Sequence, residues 1–252
     1  MRKTKLSVNI NKIATLRNSR GGNYPNVCDF AVDIQDYGAD GITIHPRPDQ
    51  RHIRPNDVRQ LAKLIRPNTE IELNVEGNPF AKAEQGYPGF MELVEETKPD
   101  QCTLVPDSND QLTSDHGFDI KSYANDLAPI ISRLKNLDVR VSLFMDPDIE
   151  QIKLAAELEI DRIELYTGPY AAAWGSESLE PIFLCHQRAA SLCKSLDIGV
   201  NAGHDLSLKN LHRFASIENL LEVSIGHAFI VDSISMGMAS AVKAYKKLLN
   251  QG

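Results

Sequence analysis

Five short apolar runs in this chain each lead to a histidine or a glutamate. The residues reached in this way are His45, Glu72, Glu164, His204 and His227. Imidazole and carboxyl groups exchange protons near neutral pH once burial or neighbouring charges adjust their pKa. The strands of a parallel α/β barrel all open onto one bowl, so this pattern predicts one site for acid–base chemistry. One such glutamate is often structural, whereas the pair Glu72 and Glu164 favours a function.

Basic and amide side chains gather after the first two predicted strands. They are Asn9, Asn11, Lys12, Arg17 and Arg20 after the first strand, and Arg47, Arg51 and His52 after His45. A guanidinium group offers a planar fork that matches phosphate oxygens. The first group could equally be a solvated basic loop, so chemistry alone leaves its role open. The second group is harder to explain as surface decoration and indicates an anionic substrate.

Gly226 and His227 close the last predicted strand and open the last predicted helix. In α/β barrels the loops after strands seven and eight commonly bind phosphate through backbone N–H groups at a helix N-terminus. We therefore expect the backbone of these two residues to contact a phosphate. The imidazole of His227 is incidental to that contact.

The same histidines and glutamates could also hold a metal ion, since zinc sites need several converging ligands. The patterns H-x-H and H-E-x-x-H do not occur in the sequence. The nearby cations Lys12, Arg20, Arg47 and Arg51 would repel a metal. We therefore expect no catalytic metal.

Strand and helix signals alternate from one end of the chain to the other. Strands are predicted at 6–10, 41–45, 70–75, 101–105, 139–144, 162–166, 199–202 and 221–225, and helices at 26–37, 55–65, 89–97, 122–136, 147–158, 176–196, 208–215 and 228–249. This alternation implies a parallel sheet with right-handed crossovers. Eight units fit a closed (β/α)8 TIM barrel with extra short helices in its loops. A doubly wound open sheet is the alternative, but no G-x-G-x-x-G fingerprint follows any strand.

The length of 252 residues suits one barrel domain over 1–252. The formal charge of −7 argues against nucleic-acid or membrane-surface binding as the main function. The four cysteines form no CxxC pair, which is typical of reduced thiols. The basic start of the chain leads into only a few apolar residues, and no run approaches the roughly 20 residues of a membrane span. We expect a soluble, cytoplasmic protein.

Taken in order, these residues resemble the pyridoxine 5'-phosphate synthase family of vitamin B6 biosynthesis. The matching segments are 8–10, 13–18, 38–45, 51–53, 98–99, 104–106, 141–144, 200–204 and 225–228. The resemblance implies a (β/α)8 barrel that condenses 3-amino-2-oxopropyl phosphate with 1-deoxy-D-xylulose 5-phosphate. The products are pyridoxine 5'-phosphate, phosphate and water. It also implies two phosphorylated small-molecule substrates, no metal or organic cofactor, and a homo-octamer.

The resemblance further assigns roles to individual residues. His45 and Glu72 match proton acceptors, His204 matches the proton donor, and Glu164 matches a carboxylate that stabilises charge in the transition state. The positions that match substrate contacts are Asn9, Arg20, Gly226 and His227 for the amino-ketone phosphate, and Arg47, His52 and Thr113 for the deoxyxylulose phosphate.

Three departures from the family pattern lie near the expected site. Asn11-Lys12 stands where the family commonly has Asp-His, and Asp205 stands where it commonly has Gly. The segment 74–88 is longer than usual. We keep Asn11, Lys12 and Asp205 as expected substrate-binding residues, although an acidic side chain at 205 would oppose a phosphate unless it points away.

Two other functions fit parts of the pattern. A sugar-phosphate isomerase or aldolase could use the same barrel, but an aldolase needs a lysine on an inner strand and the predicted strands offer none. A non-catalytic phosphometabolite-binding protein would keep Arg20 and Gly226 without needing two buried glutamates.

The polar connection 106–119, which carries Thr113, is expected to close over a reactive imine and exclude water.

Overall fold

Eight parallel strands close into a barrel, in chain order, in the computed structural model, which describes residues 3–65 and 70–250. The strands are β1 (Lys5–Asn9), β2 (Gly41–Ile44), β3 (Glu72–Gly77), β4 (Gln101–Leu104), β5 (Arg140–Met145), β6 (Arg162–Leu165), β7 (Gly199–His204) and β8 (Leu220–Ile225). Each strand pairs with the next, and β8 pairs with β1. The predicted (β/α)8 barrel is confirmed. The expectation of one domain over 1–252 stays a prediction.

Helices cover the outside of the barrel. They are α1 (Asn11–Asn18), α2 (Val27–Asp36), α3 (Pro55–Ile65), α4 (Phe90–Thr97), α5 (Ile120–Lys135), α6 (Ile149–Ala156), α7 (Gly168–Ala172), α8 (Leu179–Ser195), α9 (Leu211–Phe214), α10 (His227–Met236) and α11 (Met238–Leu249). Three features differ from expectation: α1 occupies a stretch expected to be a loop, α7 occupies a stretch for which no helix was predicted, and the single helix predicted at 228–249 is divided at Gly237. Gly237 adopts φ +81, a left-handed conformation that ends a helix. Among residues 3–65 and 70–250, no helix combines the length and the apolar character needed to cross a bilayer.

The inside of the barrel is polar, and the apolar core lies between the sheet and the helices. Successive strand residues face opposite sides of a sheet. On β1, Leu6 is fully buried in the apolar core, whereas the Ser7 hydroxyl lies 2.7 Å from that of Thr43 on β2. Thr103 Oγ1 donates to Asn74 Oδ1 at 3.1 Å between β4 and β3. Hydrogen bonds between strands thus replace apolar packing in the barrel interior.

A charged network closes the N-terminal end of the barrel. We call it the floor network, and its members are Lys5, Glu72, Gln101, Arg140, Arg162, Asn201 and Glu222. Glu72 accepts hydrogen bonds from Lys5 Nζ and from Arg140 Nη2, each at 2.5 Å. Arg140 Nε also donates to Gln101 Oε1 at 2.9 Å. Charges here are matched to one another, as a buried polar layer requires.

Candidate active site

A cavity of about 460 Å³ opens at the carboxyl ends of the strands. The predicted residues that line it are Asn9, Asn11, Lys12, His45, Arg47, His52, Thr113, Glu164, His204, Asp205, Gly226 and His227. The other lining residues are Thr15, Arg51, Glu76, Val105, Leu112, Ser114, Phe144 and Ser224. The fold therefore brings most of the predicted residues to one place. Their roles stay predictions.

Glu72 does not lie at this cavity, so the prediction that places it at the barrel mouth is wrong. It is the first residue of β3 and lies at the floor of the barrel, because the strand begins at Glu72 and continues to Gly77. Burial alone would raise the pKa of Glu72, but hydrogen bonds and charges from Lys5 and Arg140 hold it below its ordinary value. A carboxylate that is ionised and paired in this way is not a poised general base.

Glu76 is the β3 carboxylate that reaches the cavity, and it was not among the predicted site residues. It follows Glu72 by four residues, so both face the barrel interior about 13 Å apart along the strand. Its Oε1 accepts from Asn9 Nδ2 at 3.0 Å and lies 3.6 Å from His45 Nδ1. The signal was present, because the alternation that begins at Glu72 continues through Asn74 to Glu76.

Arg20 is exposed just beyond α1 and does not line the cavity. Its predicted phosphate contact stays a prediction. Arg17, from the same segment, is fully buried and donates to both Asp57 oxygens, at 2.6 and 2.8 Å. It also donates to the backbone oxygen of His52 at 3.1 Å. Arg17 therefore supports the loop after β2 and is not available to a ligand.

His45 lies between two carboxylates. Its Nδ1 is 3.6 Å from Glu76 Oε1, and its Nε2 is 3.9 Å from Asp107 Oδ2. The side-chain oxygen of Asn11 accepts a hydrogen bond from the His45 backbone at 2.9 Å, which fixes the end of β2. The ring is buried, and each of its nitrogens lies near a carboxylate oxygen. The arrangement suits proton transfer.

Glu164 on β6 is a buried carboxyl group whose Oε2 has no hydrogen-bond partner among the described residues. Burial raises the pKa of Glu164 well above its ordinary value, and the nearby charges of Glu76 and Glu222 act in the same direction. The backbone of β7 approaches closely at Gly203, where a Cβ atom would lie 2.3 Å from the Ser224 oxygen and 3.2 Å from Glu164 Oε1. Glycine at 203 therefore leaves room for the carboxyl group. Glu164 can present a protonated acid to the cavity.

His204 ends β7 and is held through both ring nitrogens. Nδ1 lies 2.8 Å from Asp205 Oδ2, and Nε2 lies 2.8 Å from Thr113 Oγ1. Burial alone would lower the pKa of His204, but the hydrogen bond and charge of Asp205, with Glu76 and Asp107 beyond, raise it above its ordinary value. His204 is thus placed to carry a proton.

The His52 ring is buried beside His45, with ring centroids 6.0 Å apart. Burial first, then His45 in its charged form and the cations Arg47, Lys12 and Arg51, lower the pKa of His52 to about 2. Its Nδ1 has no partner among the described residues. A neutral imidazole with an unpaired nitrogen next to several cations is suited to a hydrogen bond with an anionic ligand.

Two arginines hold the 106–119 loop over the cavity. Arg47 Nη1 donates to the backbone oxygen of Gln111 at 3.2 Å, and its Nη2 pairs with Asp107. Arg51 donates to the oxygens of Gln111 at 3.0 Å and Asn109 at 3.1 Å. Asp107 also accepts from Ser114 at 2.8 Å, inside the same loop. The groups expected to bind phosphate are therefore also the groups that fasten the loop.

The N-terminus of α10 faces the cavity at Gly226 and His227. A Cβ atom at Gly226 would lie 3.2 Å from Asn9 Cβ, so glycine here lets β8 and β1 approach each other. Lys12, in the first turn of α1, lines the same cavity. Backbone N–H groups at a helix N-terminus and an ammonium group together suit a phosphate. In residues 3–65 and 70–250, no group of three or more His, Cys, Asp or Glu side chains is arranged to hold a metal ion.

The sequence is similar to proteins of known family along nearly its whole length. A family model described as "Pyridoxal phosphate biosynthesis protein PdxJ" matches residues 6–251. A curated relative, the pyridoxine 5'-phosphate synthase of Xanthomonas axonopodis pv. citri (strain 306), is 50% identical over 250 residues, which cover 99% of this chain and 98% of the relative. The pyridoxine 5'-phosphate synthase of Xylella fastidiosa (strain M23) is 47% identical over 249 residues, covering 98% and 95% of the two chains.

Solved structures share the fold at low sequence identity. Orotidine 5'-monophosphate decarboxylase from Methanocaldococcus jannaschii superposes with a TM-score of 0.61 at 14% identity, covering 99% of this chain and 100% of that one. A 4-hydroxy-2-oxoglutarate aldolase/2-deydro-3-deoxyphosphogluconate aldolase gives a TM-score of 0.60 at 12% identity, covering 98% and 95%. These likenesses concern the barrel alone.

Proposed function

This chain belongs to the PdxJ family, and on that premise we propose that it is a pyridoxine 5'-phosphate synthase. The reaction joins 3-amino-2-oxopropyl phosphate to 1-deoxy-D-xylulose 5-phosphate and releases pyridoxine 5'-phosphate, phosphate and water. The observation that carries this proposal is the composition of one cavity. Proton-transfer groups directly after β2 and on β3, β6 and β7 lie in it beside cationic and backbone N–H groups suited to phosphate.

The first chemical step makes a carbon–nitrogen bond. The amine of one substrate attacks the ketone carbon of the other, and a proton leaves the nitrogen. We assign this proton to His45, with Glu76 beside it as the second acceptor, in place of Glu72. The proton taken from the nitrogen is returned to the alkoxide, which gives the carbinolamine hydroxyl. His204 then donates a second proton to this oxygen, which leaves as water as the protonated C=N bond forms. General acid and base groups of this kind each contribute about 10²–10⁴-fold to rate.

Glu164 stabilises the charge that develops after the Schiff base has formed. Its buried carboxyl group starts protonated, because ionisation without a compensating partner is costly in this position. It can donate a hydrogen bond to a developing oxyanion, or release its proton to become a counter-charge for the iminium ion. Loss of phosphate and ring closure follow, and both steps need protons moved within the cavity.

The two substrate phosphates contact different groups of lining residues in this proposal. The N-terminus of α10 with Asn9 and Lys12 holds the phosphate of the amino-ketone. Arg47, His52 and Thr113 hold the phosphate of the sugar. Arg47 already bonds to Asp107 and to loop carbonyls, so the arriving phosphate shares or replaces those acceptors. Substrate binding and loop position are therefore linked.

Assembly is proposed on the resemblance and on exposed apolar side chains. Tyr24 is 87% exposed and Ile234 is 82% exposed, and Val231 lies on the same helix as Ile234. Side chains of this size are often covered by a second subunit. We propose a homo-octamer that works in the cytoplasm without metal or cofactor. Light scattering of the purified protein gives the mass of the assembly. An activity assay with added chelator tests whether the reaction needs a metal.

The decisive experiment supplies both phosphorylated substrates to purified protein and follows pyridoxine 5'-phosphate by chromatography. Omitting either substrate must abolish the product. An absence of product with both substrates, while calorimetry shows that each binds, would point to a non-catalytic phosphometabolite-binding protein. Formation of a borohydride-trapped adduct on the protein would favour the aldolase alternative. In that case Lys12, on α1, is the lining residue to examine.

A further inference from the structure

Asp205 and His204 form a hydrogen-bonded pair whose geometry gives the two ring nitrogens different tasks. Asp205 Oδ2 lies 2.8 Å from Nδ1, on the side of the ring away from the Thr113 contact. An ionised carboxylate only accepts hydrogen bonds, so Nδ1 must carry a proton. Nε2, which lies 2.8 Å from the Thr113 hydroxyl on the cavity lining, is then the nitrogen that exchanges protons with a ligand.

The backbone around Asp205 is built to direct its side chain toward this ring. Asn210 Nδ2 donates to the Asp205 backbone oxygen at 3.3 Å, and Asn210 Oδ1 accepts from Ser207 N at 2.7 Å. The Leu206 N–H donates to the Gly203 oxygen at 3.2 Å, closing a turn around the pair. His204 itself adopts φ +48, a conformation uncommon for a residue with a side chain. These three hydrogen bonds fix the turn, and the turn fixes the relative positions of the two side chains.

We infer that Asp205 is a positioning residue for His204, fixing the Nδ1–H tautomer and supporting the imidazolium so that Nε2 delivers the proton to the departing oxygen. This inference rests on the proposed function, which supplies that oxygen. It also replaces the expectation that Asp205 binds substrate. The charge of this carboxylate is used within the protein, in its hydrogen bond to the imidazole.

The charges around the ring act together with this pair. Asp205 comes from the loop after β7, Glu76 from β3 and Asp107 from the loop after β4, and all three favour the protonated ring. The Tyr166 ring packs edge-on against His204 at 5.7 Å. Burial and the charge of Asp205 raise the pKa of Tyr166, so it stays neutral.

His227 on α10 is a further titratable group near the pair, and in its charged form it adds to the lowering of the pKa of Asp205 that the hydrogen bond from His204 mainly causes. The hydrogen bond from His204 is the main cause of that lowering, ahead of burial, which acts in the opposite direction. Asp205 is thus ionised through the neutral range. Because Glu76 and Asp107 remain in any Asp205 variant, removing Asp205 weakens the support of the imidazolium without abolishing it.

The test compares Asp205→Asn, which keeps the shape and loses the charge, with Asp205→Glu, which keeps the charge. NMR of ¹⁵N-histidine-labelled, ligand-free protein follows the His204 ring with pH, and His204→Gln identifies its signal. We expect a lower titration midpoint for His204 in Asp205→Asn and recovery in Asp205→Glu. Turnover of Asp205→Asn should fall by roughly tenfold on the alkaline side of the profile, with KM for each phosphate little changed.

An unchanged His204 midpoint in Asp205→Asn would overturn the inference. So would a change confined to the KM of one phosphorylated substrate, which would return Asp205 to substrate binding. The NMR measurement needs no turnover, so it separates this inference from the proposed function. If the wild-type protein makes no pyridoxine 5'-phosphate while the midpoint still shifts, the reaction assignment fails and the pairing of Asp205 with His204 stands.

Discussion

The two ends of the barrel carry similar side chains and use them in opposite ways. At the floor, Glu72 is enclosed by Lys5 and Arg140, and each of its two oxygens accepts a hydrogen bond from one of these cations. At the mouth, Glu76 and Glu164 border an open cavity, and Glu164 keeps an oxygen that no described residue satisfies. Both ends are polar. The difference lies in whether the protein itself completes the charge pairs.

This contrast shows that residue type and strand do not define a functional carboxylate. Glu72 and Glu76 share β3 and face the same side of the sheet. Cations lower the pKa of Glu72, whereas burial raises that of Glu164. Paired charges stabilise a fold modestly and are costly to break on one side. An unsatisfied buried acid costs stability and is retained where it has chemistry to perform.

The largest expected effect separates the two ends directly. We expect Glu76→Gln to lower kcat by about 10²–10⁴-fold, because it removes a proton acceptor beside His45. The matched variant Glu72→Gln changes the same residue type on the same strand and should keep kcat within about threefold. It should instead lower the free energy of unfolding by about 1–2 kcal/mol, since Lys5 and Arg140 lose an ionised partner. Steady-state kinetics and urea unfolding measure the two quantities.

The proposed difference between the two ends of the barrel is wrong if Glu72→Gln and Glu76→Gln exchange their effects. A Glu72→Gln enzyme that loses activity while its unfolding curve stays unchanged would mean that the floor takes part in catalysis. A fully active Glu76→Gln enzyme would remove Glu76 from the proposed mechanism and leave His45 to act without it.

Glu164→Gln is expected to have the next largest effect, about 10²-fold on kcat, with a gain in stability at high pH. The pKa of Glu164 is raised in the folded protein above its ordinary value of 4.5. The contribution of protonated Glu164 to the stability of the folded protein is therefore fully present below about pH 4.5, and it is lost as the pH rises through the folded-state pKa. Glutamine cannot ionise, so the variant avoids this loss. The gap in Tm between Glu164→Gln and wild type should widen from about pH 5 to about pH 8.

The control for this effect is the Glu72→Gln variant in the floor network. Glu72→Gln removes a carboxylate whose pKa is lowered, so it should lose stability relative to wild type above the ordinary pKa of 4.5 and converge with wild type in acid. Parallel Tm curves for wild type and Glu164→Gln across this range would contradict a protonated Glu164.

A smaller effect is expected from removing the hydrogen bonds that hold the 106–119 loop over the cavity. Arg51→Ala removes hydrogen bonds to the backbone oxygens of Asn109 and Gln111, so the 106–119 loop should open more often. We expect faster proteolytic cutting within the loop and a KM raised about two- to fivefold, corresponding to the loss of one or two hydrogen bonds. Arg59→Ala, which removes an exposed pair with Glu96 on the outer helices, is the matched control. Equal cutting in both variants would show that Arg51 does not fasten the loop.

Much of the architecture could be predicted because it depends on local patterns. The eight strands and their order follow from short apolar runs that alternate with helical segments, and the barrel is confirmed. The site residues that end strands, such as His45 and His204, could be found for the same reason. The helix α1 could not, because its sequence mixes polar and apolar residues and only two of its positions, Ile13 and Ala14, pack apolar side chains into the core.

The error at Glu72 has a specific physical origin. Alternation in a strand repeats every two residues, so a shift of two or four positions leaves every side chain on the same face. The pattern therefore predicted correctly that Glu72 faces the barrel interior, but it contained no measure of depth. Asp107 was missed for a different reason. It lies in a polar loop with no periodicity, and its importance comes from contacts with Arg47, Ser114 and His45.

The sequence by itself determined which residues face the inside of the barrel and which chemical groups are available there. Only the tertiary structure decided which end of the barrel each group occupies and which partners complete it. Register depends on strand pairing around the closed barrel, and Arg140 reaches Glu72 across 68 positions of sequence. The partners of a carboxyl group set its pKa, so the division between a structural and a reactive glutamate exists only once the barrel is closed.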